Sequence, residues 1–254
     1  MSKRAYFIGR GSILVASRNA DGSPGTLRDV GEAPTIEVNV QVDFAENFDT
    51  SEAISTQDLH VAIKQTGKLR LVLKEATAEN LALALFGKSV DETTGTFTAV
   101  AFPTGIIAGE TYQIPGARAK VSSIVIVDSA VTPATVTSTK YEVDADFGTV
   151  KFLDVSSYTQ PFKISGTEAA GKKSIALLTK RSQELFIMAK LTNVANDDKK
   201  ELWEFYRVAL SPATKIDGKG DEVVMYEMEG NLLKDREKGS DPTFGYFGRR
   251  RLLE

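Results

Sequence analysis

The chain has no cysteine, one histidine and one tryptophan among its 254 residues. Without thiols it has no disulfides, no thiolate nucleophile and no cysteine-bound metal. That lack suits a reducing cytoplasm. Any catalytic triad or histidine metal site would have to use His60, which sits in a polar junction where a surface or interface role fits it. No apolar run reaches the length that spans a bilayer, and the opening M-S-K-R-A-Y-F-I-G-R-G has no signal-peptide core. The sequence therefore reads as soluble and not exported by the usual signal. The formal net charge of −3 provides no basic field to grip nucleic acid.

What is present is apolar material and strand pattern. Hydrophobic residues make up 42%, enough for a real core in one large or two small domains. In T-I-E-V-N-V-Q-V-D-F, Ile36, Val38, Val40, Val42 and Phe44 fall on one side, and Glu37, Asn39, Gln41 and Asp43 on the other. Period-2 alternation over this length predicts one long strand with an oily face and a wet face, in an antiparallel sheet.

Other segments follow from local chemistry. Residues 6–17 read as a strand, and N-A-D-G-S-P-G-T at 19–26 as a turn. Residues 45–60 are acidic and polar and read as a long loop, with Phe48, Ile54 and Leu59 as residues that order against something. Residues 61–74 read as a strand with Leu69, Leu71 and Leu73 on one face. Thr77 to Gly87 reads as the one strong helix, with Thr77 as N-cap and Gly87 as its stop. Residues 92–167 are rich in Thr, Val, Ser, Gly and Pro and contain short strands at 122–128, 139–144 and 149–154. They read as a small β-module inserted into a discontinuous domain, 1–91 and 168–254. Further strands are expected at 172–180, 184–192, 201–210 and 222–232. The tail 239–254 has aromatics without periodicity and reads as a segment lying on another surface.

The order of these pieces resembles the major tail protein, or tail tube protein, of long, non-contractile-tailed bacteriophages. The resemblance is carried by R-N-A-D-G-S-P-G-T-L-R-D-V-G-E-A-P, T-I-E-V-N-V-Q-V-D-F, the acidic stretch into L-R-L-V-L-K-E-A-T-A-E-N-L-A-L-A-L-F-G, Y-E-V-D-A-D-F-G-T-V-K-F-L-D-V and E-L-W-E-F-Y-R-V-A-L. It implies a mainly β sandwich or barrel with one short flanking helix. It also implies hexameric rings whose inner sheets join, stacked into a tube around a tape-measure protein and finished by tail terminator and distal tail proteins. The location implied is the virion, after assembly in the host cytoplasm. DNA would pass through the bore without specific binding, and no membrane, enzyme activity, metal or cofactor is expected. On this reading Glu37, Asn39, Gln41 and Asp43 line the lumen with Glu227, Glu229 and Asn231. The segment with Phe48, Ile54 and Leu59 stacks ring on ring, and Phe244, Tyr246, Phe247 and Arg249 form a C-terminal contact tail. An acidic lining would let a polyanion slide; Lys68, Arg70 and Lys74 would then pair with the acids or face elsewhere.

Competing readings are blander. Asp144 with Asp146, and Asp197–Asp198, lack the ligand ladder of a calcium loop and read as turns. Paired carboxylates for glycoside hydrolysis would need a cleft and platform, and Trp203 falls on a core face. The glycine runs at 216–220 and 245–248 lack the following helix of a phosphate loop. Arg249, Arg250 and Arg251 read as a solvated or subunit-contacting end. The alternatives to a tail tube are a tube component of a bacterial secretion or injection system, and a β-sandwich module that binds carbohydrate or another ligand.

Overall fold

A computed structural model describes residues 6–253 except 52, 117, 182, 239, 240 and 242. The first five residues of the opening segment, Glu52 of the acidic stretch, and Gly239, Ser240, Pro242 and Glu254 of the tail lie outside the described residues. The chain is mainly β; the described residues hold 51% strand, one α-helix and several antiparallel sheets, none closed into a barrel. In chain order the elements are β1 (Gly9–Ser17), β2 (Arg28–Asp29), β3 (Thr35–Asp49), β4 (Thr56–Leu73), α1 (Ala78–Ala84), β5 (Lys88–Glu92), β6 (Gly95–Ala101), β7 (Thr111–Gln113) and β8 (Val121–Val127). They continue as β9 (Tyr141–Asp144), β10 (Thr149–Phe152), β11 (Lys163–Glu168), β12 (Lys172–Ala176), β13 (Glu184–Asn193), β14 (Lys199–Leu210), β15 (Tyr226–Leu232) and β16 (Gly248–Leu253). The chain divides into two compact units, residues 1–89 with 175–254, and residues 90–174.

The first unit is one sheet in the order β2-β1-β13-β14-β15-β4-β3, with β16 added on β14. One face buries the alternating apolar residues of these strands. Leu69, Leu71, Leu73, Ile187, Val208 and Met228 are all fully buried there. α1 covers the same core through Ala84, Leu81 and Leu83. Thr77 caps the helix by accepting from the Asn80 amide at 3.2 Å. At the other end the Gly87 and Phe86 amides donate to the Ala82 and Leu83 carbonyls, so the left-handed residue is Phe86, at φ +48°. Gly87 is needed for a different reason than the expected stop. A Cβ there would lie 2.6 Å from the Ala176 carbonyl oxygen.

Asn80 is buried at the start of α1 and ties it to the sheet. Its side-chain amide donates to the Val30 and Glu75 carbonyls at 2.8 and 3.0 Å, and its oxygen accepts from Arg28 at 2.7 Å. Every polar atom of this buried amide thus has a partner.

The second unit encloses its own core between two three-stranded sheets, β7-β10-β9 and β6-β11-β8. Phe152 is its centre, stacked on Phe162 at 4.9 Å and edge-on to Phe102 at 5.4 Å. The 144–149 segment is the expected hairpin turn. Gly148 takes φ +63°, and a Cβ there would fall 1.7 Å from the Arg118 carbonyl oxygen. Asp128 is buried and accepts from the Ala134 amide at 2.6 Å and the Thr159 amide at 3.2 Å.

Two expectations about the first unit need correction. Residues 45–60 are mostly strand. β3 runs on to Asp49 and β4 begins at Thr56, and the pairs Ala45–Val61, Glu46–His60 and Asn47–Leu59 continue the ladder. A hairpin needs no buried face when its two halves satisfy each other's backbone groups, so alternation was a poor guide there. The C-terminal segment, expected to lie on another surface, ends as a strand of this sheet, because β16 pairs with β14 from Lys200–Leu253 to Phe205–Gly248.

Candidate functional site

The feature that stands out is the β3–β4 ribbon. At its base, up to Val38 and Gly67, it belongs to the sheet and its core. β15 ends opposite Gly67, and from Val40 to Thr66 no described residue is buried. The ribbon therefore leaves the sheet as a two-stranded arm. β3 is the outermost strand, with no described strand on its other side. A long unpaired edge is a row of free N–H and C=O groups, which monomeric proteins usually cover or blunt.

The register decides which residues share a face. Glu37 faces Arg70, Asn39 faces Lys68, Gln41 faces Thr66 and Asp43 faces Lys64. β15 extends the same face, with Glu229 opposite Arg70, Glu227 opposite Val72 and Asn231 opposite Lys68. The residues assigned to a lining from sequence thus lie on one polar face of three adjacent strands, all turned away from the core.

That face is mixed in charge. Lys64, Lys68 and Arg70 interleave with Glu37, Asp43, Glu227 and Glu229. Arg70 is held between two carboxylates, hydrogen-bonded to Glu227 and 3.6 Å from Glu37. The bond to Glu227 raises the arginine above its ordinary value, and the same bond holds Glu227 below the usual carboxylate range. Lys64 lies 3.5 Å from Asp43, and Lys74 lies past the strand end, 2.7 Å from Glu32. Both side chains of the Arg70–Glu227 pair are more than a third exposed, so water screens the attraction and it orders the face more than it stabilises the fold.

The three stacking residues are all on the arm and all exposed: Phe48 at 51%, Ile54 at 78% and Leu59 at 45%. They do not form one patch. The pairing slips after Asp43 and again after Asn47. Phe44 and Phe48 stay on the core-side face of β3, while Leu59, opposite Asn47, lies on the other. His60 sits here too, stacked on Phe44 at 4.2 Å and 3.1 Å from Glu46.

The four tail residues pack within their own unit. Phe244 packs on Ala16, Phe186 and Tyr206 on the second face of the sheet, and the Tyr206 hydroxyl donates to its carbonyl at 3.0 Å. Phe247 joins the main core, and Tyr246 lies under the Lys234 ammonium at 4.1 Å. Arg249 is bonded to Glu204. Arg250 forks onto the buried Glu201 at 2.6 and 2.9 Å, which holds that carboxyl below its usual range.

Sequence reasoning missed a groove beside the base of the arm. β14 shares one edge between β15, at Val208–Leu210, and β16, at Lys200–Phe205. Where the arm departs, a largely apolar cavity of about 300 Å³ opens, lined by Val38, Val40, Trp203, Phe205, Leu232 and Phe247, with Arg249 and Arg250 at its rim. The available signal was the run R-R-R-L-L beside an aromatic strand, which carries no alternation to mark it as sheet. Among the described residues no cluster of three or more His, Asp or Glu side chains is placed to hold a metal.

The chain belongs to a protein family: the model described as Protein of unknown function UCP028589 matches residues 6–251. No curated protein matches it.

Proposed function

We propose that this chain is a structural subunit that assembles with copies of itself, through its free sheet edge, into stacked rings. In this reading the rings form the tail tube of a long, non-contractile-tailed bacteriophage and conduct DNA during ejection. The observation that carries the proposal is β3, a 15-residue outermost strand whose polar face is solvent-exposed and whose outer edge has no described partner. Ring neighbours would satisfy that edge, and head-to-tail contacts of one patch with a different one close into rings or run on as filaments. The resemblance to tail tube proteins implies the hexameric ring, the tape-measure protein inside it, and the terminator and distal tail proteins at its ends.

The polar face then lines the bore. A face whose Arg70 and Lys64 are already tied to carboxylates presents few free cations to phosphate, so DNA slides past it without specific binding. The subunit performs no catalysis and needs no cofactor. A tube component of a secretion or injection system would use the same edge, whereas a glycan-binding β-sandwich would have no use for it. Negative-stain electron microscopy of the purified chain, over a range of concentrations, is the test. Rings or tubes are expected. A monomer that binds glycans and never assembles would overturn the proposal.

A further inference from the structure

A second cavity, with a volume of about 460 Å³, opens in the first unit between the loop after β1, the start of β13, β14 at Arg207 and the segment after β15. The assembly reading makes no use of it. The loop is the N-A-D-G-S-P-G-T turn of the sequence. We propose that this cavity binds a small hydroxylated oxyanion, such as a uronic acid or a sugar phosphate, with Arg18 and Arg236 holding the anionic group.

The cavity is built on a buried ion pair. Arg18 and Asp235 lie 3.1 Å apart, with 11% and 2% of their side chains exposed. Taking such a pair out of water is costly unless further hydrogen bonds satisfy the remaining groups. Asp235 meets that condition, since Oδ2 accepts from Arg18 and Oδ1 accepts from the Glu237 amide at 3.0 Å. Arg18 does not. Its Nη2 donates to Asp235 and to the Gly22 carbonyl at 3.2 Å, but among the described residues Nε and Nη1 have no acceptor. Nε is shut in by the fold. Nη1 is the unspent donor that a ligand in the cavity can reach.

The other charges in the wall decide the sign of the ligand. Both oxygens of Glu184 are taken by Arg207, at 2.7 and 2.5 Å, and that bond holds the carboxyl below its usual range. Asp235 is spent on Arg18 and the Glu237 amide. Arg236 also lines the cavity, exposed and without an ion-pair partner among the described residues. Two guanidinium groups with donors to spare thus face a space whose inner carboxylates are already occupied. The remaining wall is polar and suits hydroxyl groups: the exposed Glu237 carboxylate accepts from them, and the Asn19 and Gln183 amides accept or donate. The volume falls in the range of small-molecule sites.

Isothermal titration of the purified chain with glucuronate, glucose 6-phosphate, glucose and inorganic phosphate is the test. Glucuronate or glucose 6-phosphate should bind with a dissociation constant of about 1 mM or tighter, and glucose about tenfold more weakly or not at all. Arg236→Ala removes an exposed side chain, so it should weaken binding about tenfold with the thermal melt unchanged. Arg18→Lys keeps a cation beside Asp235 but removes Nη1, and should cause a similar loss; if that variant fails to fold, Arg236→Ala decides alone. No binding of either acid, or binding that Arg236→Ala keeps in full, would overturn the proposal. Glucose binding as tightly as glucuronate would show that no oxyanion is read. Inorganic phosphate binding as tightly as glucose 6-phosphate would mean an adventitious ion only, and would overturn it as well.

Discussion

Cutting away the arm separates assembly from folding more cleanly than any point substitution. Asp43 and Lys64 lie directly opposite each other, so an Asn-Gly turn joining them removes residues 44–63 and keeps the register of everything below. Among its described residues the deleted segment contributes no buried side chain. The Glu46–His60 pair lost with it is about half exposed on both sides and worth little. Exposed positions of this kind change stability by about 0.5 kcal/mol or less, and the shortened connection returns a fraction of a kilocalorie of loop entropy. The net change should stay within about 1 kcal/mol, a shift of roughly 2–4 °C in melting temperature for a chain of this size. By contrast, Leu71→Ala in the fully buried core should cost about 2–5 kcal/mol. Trp203, the only tryptophan, lies in the first unit and reports its urea unfolding by fluorescence. The excised variant should keep the wild-type urea midpoint and lose sedimentable polymer. A midpoint lowered as far as that of Leu71→Ala would refute the view of the arm as a peripheral ribbon. Wild-type tubes from the excised chain would refute its role in assembly.

Three further outcomes follow from particular contacts. Asn80→Ala leaves the Val30 and Glu75 carbonyls and the Arg28 guanidinium without their partner, and should cost about 2–4 kcal/mol in the Trp203 urea curve; a loss under about 1 kcal/mol would mean water replaces the amide. Backbone donors from Ala134 and then Thr159 hold the Asp128 carboxyl below its usual range. Its stabilisation is therefore complete above about pH 4, the unfolded value, and is lost as pH falls towards the lower folded value; Asp128→Asn should flatten the acid dependence of amide exchange at Ala134 and Thr159, and an unchanged dependence would count against the assignment. Glu37→Gln with Asp43→Asn should leave tubes intact but free Lys64 and leave Arg70 with Glu227 alone, so that the face holds phosphate and DNA ejection slows; normal kinetics through tubes of normal length would remove these residues from the bore.

The parts of this fold legible in sequence are those where burial imposes a period. Val38, Leu69, Leu71 and Leu73 alternate because one face of their strands is dry, and Thr77 announces a helix because its hydroxyl has one obvious use. The arm was illegible beyond Phe44. Its far half is wet on both faces and its register slips twice, so Phe48 and Leu59 face opposite ways despite similar exposure. β16 was hidden for a related reason: Arg249 and Arg251 share Glu204 and Arg250 takes Glu201, partners that come together only once the sheet has formed. The polar face was half legible. Alternation placed Glu37, Asn39, Gln41 and Asp43 together, but only the pairing register brings Lys64, Lys68 and Arg70 among them and turns an acidic lining into a mixed one. The groove depends on where β15 stops and β16 starts along one edge of β14, which is a property of topology and has no local signature.

The most direct measurement is amide hydrogen exchange along Thr35–Asp43, compared between dilute monomer and assembled protein. Half of these amides point away from β4, and in the monomer they should exchange within seconds. If copies add strands at this edge, the outward amides should slow at least a hundredfold on assembly while those already bonded to β4 change little. Assemblies in which the outward amides of β3 exchange as fast as in the monomer would contradict the account.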